Sequence, residues 1–258
     1  PTMGALHEGH LSLVHKAVNE CAIVIVSIFV NPTQFNDKKD LKNYPRTVSA
    51  DLELLEAALR DNDIVFIPET AEMYPEEDTR QFSFGNLDRV MEASHRPGHF
   101  NGVAQIVSKL FSIVDPDLAY FGLKDFQQVA VIRDLVRQLK FKVKIITCPI
   151  IRERDGLAMS SRNRLLEPAI RKDAPVIYQS LMTASEMIKE KDVPEIRRFV
   201  SEEINKKPGF EVEYFEVADD VELFTVESKK EMVPGRTYFG CIAVKAGNIR
   251  LIDNIRLG

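Results

Sequence analysis

Cysteine and histidine are scarce in this sequence, and a basic excess and any long apolar run are missing altogether. The three cysteines, Cys21, Cys148 and Cys241, are odd in number and widely spaced. They fit neither a zinc site nor a disulfide framework, and each lies among apolar neighbours, which assigns them to core packing. A net charge of -5 and a pI near 5.7 argue against a broad nucleic-acid-binding face and leave room only for a local basic pocket suited to a small anion. Nothing approaches the roughly 18 consecutive apolar residues of a membrane span. No secretory signal is visible in a sequence that opens at Pro1, so cytoplasm is the expected location. Internal repeats and low-complexity segments are absent as well.

What is present is a hydrophobic fraction of 45% over 258 residues, enough for a real core and for more than one domain. All five histidines fall within the first 99 residues, four of them in two glycine-containing clusters. The first cluster is His7-Glu8-Gly9-His10, followed at helical spacing by Leu11, Val14, Val18 and Cys21. Two imidazoles and a glycine therefore stand at a helix N-terminus, where free N–H groups and the helix dipole suit a phosphate. Gly9, without a Cβ, leaves the backbone open to a phosphate or an adenine ring. The imidazoles can donate to phosphoryl oxygens as charge builds. His15 is expected on the solvent face of the same helix.

The β-branched run Ala22–Val30 predicts a central parallel strand covered on both faces. Asn31, Thr33 and Gln34 follow at its carboxyl end, where open α/β sheets bind ligands. Residues 37–40 read as a charged loop, 49–61 as a helix and 64–68 as a strand. Region 69–100 reads as irregular apart from a helical piece near 86–93. Residues 94–102, with His95, Arg96, Gly98 and His99, read as a mobile lid or phosphate clamp. Helix 103–114, strand 118–122, a helix after Asp125 and strand 143–150 continue the alternation. This predicts an α/β fold with a Rossmann-like, doubly wound parallel sheet. An opening strand is expected just before Pro1. Beyond Ile151 the pattern changes to helices at 167–190 and 193–205 and strands near 211–217, 238–245 and 249–253. That suggests two domains, 1–152 and a smaller α+β domain at 153–258.

Five clusters, Met3–His10, Asn31–Gln34, His95–Phe100, Gly122–Gln128 and Met159–Asn163, stand in an order and spacing that closely resemble the pantothenate synthetase (pantoate–β-alanine ligase) family of the HxGH nucleotidyltransferase superfamily. The resemblance covers essentially the whole chain. It implies ATP-dependent joining of pantoate to β-alanine through a pantoyl adenylate, with Mg²⁺ accompanying ATP, and a homodimer. Residue by residue it implies ATP contacts from Met3, Gly4, Ala5, Leu6, His7, Glu8, Gly9 and His10, from Gly122, Leu123, Lys124 and Asp125, from the Ile151 backbone, and from Met159, Ser160, Ser161 and Arg162. His7, His10 and Lys124 are the expected catalytic donors. Gln34 and Gln128 are the implied pantoate-binding pair, with Gln34 also near β-alanine, while Gln127 is expected to face the other way. Arg96 and His99 match lid residues, and Asp51 is a candidate Mg²⁺ ligand. Leu123 replaces an expected polar residue and is taken to act through its backbone. A single-domain adenylyltransferase, a tRNA synthetase fragment and a non-catalytic nucleotide sensor are weaker readings. The second domain, the acidic charge and the intact motifs argue against them in turn.

Overall fold

The computed structural model describes residues 1–258. In chain order its elements are α1 (Glu8–Glu20), β1 (Ile25–Ser27), α2 (Lys38–Asn43), α3 (Val48–Glu56), β2 (Ile64–Phe66), α4 (Thr70–Met73) and α5 (Met91–His95). There follow α6 (His99–Val114), β3 (Leu118–Gly122), α7 (Phe126–Leu139) and β4 (Lys144–Cys148). The last part holds α8 (Pro168–Asp173), α9 (Val176–Met187), α10 (Val193–Asn205), β5 (Phe210–Asp219), β6 (Tyr238–Ala246) and β7 (Ile249–Leu257).

The parallel strands come as two pairs, β1 with β2 and β3 with β4, with no ladder joining one pair to the other. Just past β1 the chain stays extended: the Ile28 N–H donates to the Phe66 carbonyl, whereas the next N–H, of Phe29, donates to the Thr2 carbonyl. Because successive N–H groups of a strand point to opposite edges, Thr2 lies on the edge of β1 away from β2. The fold class is α/β, as expected.

Several boundaries differ from the sequence reading. The run 22–30 gives a strand of three residues, and Ile23 and Ile25 are exposed rather than covered. The charged stretch after Asp37 is the helix α2, because the Asp37 carboxylate accepts the Lys39 N–H and caps it. The helix expected over 167–190 is broken at Ala174–Pro175 into α8 and α9: proline has no N–H to give and clashes with the preceding turn.

The cores explain the arrangement. One cluster packs α6 and α7 against β3 and reaches Ala218, Leu223 and Cys241 of the last part of the chain. A second is drawn wholly from Leu157 to Leu257, where α9 and α10 cover the antiparallel sheet β5-β6-β7. A third joins α1 and β1 to Leu55, Tyr120 and Cys148. All three cysteines are free; Cys148 and Cys241 are buried and Cys21 is half-buried. The β5 ladder slips between Val212 and Tyr214, leaving Glu213 outside the register; such a bulge re-aims a side chain.

Candidate active site

The segment before α1 is a tight loop held by a single carboxylate. Gly4 and Ala5 have φ of 77° and 50°, and Ala5 and Leu6 bury their side chains. The Asp51 carboxylate accepts the Ala5 N–H at 2.9 Å, the Leu6 N–H at 2.8 Å and the Thr47 hydroxyl at 3.1 Å. Asp51 is 1% exposed. Both oxygens thus help to fix the loop, which accounts for this buried carboxylate without a metal. No group of three or more His, Cys, Asp and Glu side chains gathers to hold a metal ion. Ala5 and Leu6 likewise have no N–H left for a ligand, and Glu8 is exposed in the first turn of α1.

His7 caps α1, its Nδ1 accepting the Gly9 N–H at 3.1 Å. The neutral ring therefore carries its proton on Nε2. A Cβ on Gly9 would stand 2.8 Å from that ring, so the room left by this glycine is taken by His7 itself rather than by a ligand. The two rings of the motif lie 4.1 Å apart. Burial, with Lys124 and Arg164 adding to it, lowers the His7 pKa to about 4. Burial, then His7 and Lys124, lowers that of His10 to about 3. Both are neutral at pH 7. His10 Nδ1 is buried and has no hydrogen-bond partner, which is costly for a polar atom. His15 is exposed on α1, as expected.

Around these rings one cavity is lined by Met3, His7, Gly9 and His10, by Gln34, by Arg96 and His99, by Gly122, Lys124, Asp125 and Gln128, and by Ile151, Met159, Ser160, Ser161 and Arg162. The five sequence clusters thus meet in one place. Gly4 and Leu123 do not line it. Leu123 packs against the apolar core, and its carbonyl accepts from Asn254. Gln127 faces away from the cavity, bound to the Glu92 N–H and to the Leu87 and Val90 carbonyls.

A family model described as pantoate-beta-alanine ligase matches residues 1–256. The chain belongs to the pantoate–β-alanine ligase family. The pantothenate synthetase of Bacteroides fragilis (strain YCH46) is 53% identical over 256 residues, covering 99% of this chain and 89% of that protein. That of Porphyromonas gingivalis (strain W83) is 53% identical over 258 residues, with the same coverage of each. Among solved structures, pantothenate synthetase from Thermus thermophilus matches with a TM-score of 0.91 and 42% identity, over 99% of this chain and 91% of that one. The pantoate-beta-alanine ligase of Francisella tularensis, complexed with beta-gamma ATP and beta-alanine, matches with a TM-score of 0.79 and 34% identity, over 99% and 87%.

In this ligase-family chain, residues 94–102 join α5 to α6 through a tight turn. Gly98, at φ 80°, turns the backbone into α6, and His99 is that helix's first residue. The His99 ring is 7% exposed and its Nδ1–H donates to the Gln34 carbonyl at 2.8 Å. Burial, then Arg96, lowers its pKa to about 4. Arg96 and His99, the expected lid or clamp residues, both line the cavity, with the turn between them anchored by the His99 bond to Gln34.

Four residues not among the expected site residues also brace it, two of them, Asp253 and Asn254, in a terminal stretch, Arg250–Asn254, that resembles the family's C-terminal strand. Tyr44 is buried with its hydroxyl 3.4 Å from Ser161 Oγ, and its ring lies under Arg162 at 5.3 Å. Asp40 accepts from Arg162 at 2.9 Å. Asn254, on β7, donates to the Leu123 and Lys124 carbonyls at 2.8 and 3.2 Å. Next to it Asp253 takes both terminal nitrogens of Arg152, at 2.6 and 3.0 Å. All are tertiary pairings across more than 100 residues, which no local spacing reveals.

Proposed function

We propose that this chain condenses pantoate with β-alanine, consuming ATP and giving pantothenate, AMP and pyrophosphate. A pantoate carboxylate oxygen attacks the α-phosphorus, and the bond to the pyrophosphate oxygen breaks. The amine of β-alanine then attacks the acyl carbon, loses a proton, and AMP leaves with the bonding pair. In this reading the chain divides into a nucleotide- and pantoate-binding part, 1–152, and a closing part, 153–258.

The observation that carries the reading is the meeting of His7, His10, Gln34, Lys124, Gln128 and Arg162 in one cavity at the N-terminus of α1. Two neutral imidazoles donate to phosphoryl oxygens without drawing a counter-charge, while Lys124, Ser160, Ser161 and Arg162 supply charge and donors for the leaving pyrophosphate. Gln34 and Gln128 hold pantoate as neutral amides, which leaves its carboxylate nucleophilic. The Gln34 amide spends its own donor on Met3 Sδ at 3.0 Å, a weak acceptor that a substrate oxygen readily replaces. Asp125 suits the ribose and the Ile151 backbone the adenine. Mg²⁺ enters as part of the MgATP substrate, screening the phosphates. A cytoplasmic homodimer belongs to the same proposal; sedimentation at micromolar concentration checks the dimer.

Pantoate alone is expected to support exchange of labelled pyrophosphate into ATP. Exchange that waits for β-alanine replaces the adenylate by a concerted route, and no AMP with all three substrates refutes the reading.

A further inference from the structure

Glu92 lies outside the five sequence clusters, yet its carboxylate is held by side chains from two strands of the C-terminal sheet. It is 7% exposed. From β7, Arg250 donates to it through both terminal nitrogens, at 2.7 and 2.6 Å, and from β5 the Tyr214 hydroxyl donates at 2.8 Å. The bulge at Glu213 turns that carboxylate onto Arg250 Nε at 2.7 Å, so the guanidinium is fixed on two sides. On its other side Glu92 faces Arg96 at 3.5 Å. Burial opposes the charge of Glu92, but the hydrogen bonds and charge of Arg250, with Arg96 and Tyr214, outweigh it and hold the pKa at about 2.

From Arg96 the connection continues inward. Arg96 Nη1 lies 3.1 Å from His99 Nε2, and His99 Nδ1 lies 2.8 Å from the Gln34 carbonyl. A carbonyl accepts only, so Nδ1 carries the hydrogen, and Nε2 is left to accept from Arg96. The Gln34 carbonyl and the Arg96 guanidinium thus demand the same tautomer of His99, and Arg96 steadies the ring that holds the backbone of Gln34. The helix bearing His99 is pressed close at the same point, since a Cβ on Gly102 would stand 2.3 Å from the Thr33 carbonyl.

We propose that Glu92 is a positioning residue for the carboxylic acid substrate: clamped by Arg250 and Tyr214 of the C-terminal sheet, it aims Arg96, which steadies the His99 ring that holds Gln34. This rests on the reading of Gln34 as a pantoate-binding amide. It makes substrate geometry in the first part of the chain depend on an ion pair supplied by the last.

Glu92→Gln keeps the shape and removes the charge that steadies Arg96. Its KM for pantoate is expected to rise about 10- to 100-fold, as for a small misplacement of a binding group, while KM for ATP stays within about twofold. Arg250→Lys, which keeps a charge but loses the paired donors, should move the pantoate KM in the same direction. Nitrogen-15 NMR of the imidazoles, which needs no substrate, should show His99 as a single Nδ1–H tautomer in the parent and as a mixture in Glu92→Gln. Equal losses for both substrates with an unchanged His99 signature overturn the proposal and leave Glu92 a brace between the two parts. An unchanged pantoate KM in an enzyme that exchanges pyrophosphate normally overturns it too. If the parent shows no pantoate-dependent exchange, the functional reading fails, and a His99 tautomer unmoved by Glu92→Gln then sinks the relay separately.

Discussion

Two imidazoles 4.1 Å apart, in a pocket they share with Lys124, shed their protons because each added charge meets both burial and its neighbours. Their value is then as oriented neutral donors. His10→Ala should slow adenylate formation about 100- to 1,000-fold, the range for removing one preorganised donor to developing charge. Aminolysis of supplied pantoyl adenylate releases no pyrophosphate and should suffer much less; equal losses in both half-reactions make His10 a general shaper of the pocket. His99 yields a prediction about folding. Its pKa is near 6.5 in the unfolded chain and about 4 folded. Above pH 6.5 both forms are neutral and the shift leaves stability untouched. As pH falls from 6.5 toward 4 the unfolded chain gains protons that the folded one refuses, so stability declines. Thermal melts across that window should show the fall, with a shallower slope in His99→Gln; an identical slope assigns the decline to other groups.

At the scale of elements, helices and strands are largely legible in the sequence because apolar period and capping chemistry are local. The pattern Leu11, Val14 and Val18 with His7 at the cap marks α1 well. The strand after it reads too long, because a run of β-branched residues cannot say which neighbours will cover it, and Ile23 and Ile25 remain uncovered. Asp51 shows the same limit for the site. An acid at a helix start is ordinarily a partner of the helix dipole, yet the groups it holds, the Ala5 and Leu6 N–H, lie 46 and 45 residues away. Asp51→Asn should lower stability by about 1–3 kcal/mol, since an amide N–H₂ would face backbone donors left without an acceptor. Denaturant melts measure this, and Mg²⁺ dependence of the reaction should stay unchanged. A raised Mg²⁺ requirement at unaltered stability would assign Asp51 the metal role.

Across the whole molecule, the clusters converge as their order suggests, but what fixes them comes from the far end of the chain. Asn254 is 3% exposed and satisfies two carbonyls flanking the Lys124 side chain. Asn254→Ala should cost about 1–3 kcal/mol of stability for the carbonyls it strands and lower kcat of adenylation more than KM for ATP. Unchanged kcat at reduced stability would confine Asn254 to folding.

The same bond imposes an order on biosynthesis. His7, Gln34 and Lys124 all leave the ribosome well before β7 does, but the loop bearing Lys124 closes only against that strand. A nascent chain therefore carries every reacting side chain of the first part before the strand that braces the Lys124 backbone is available.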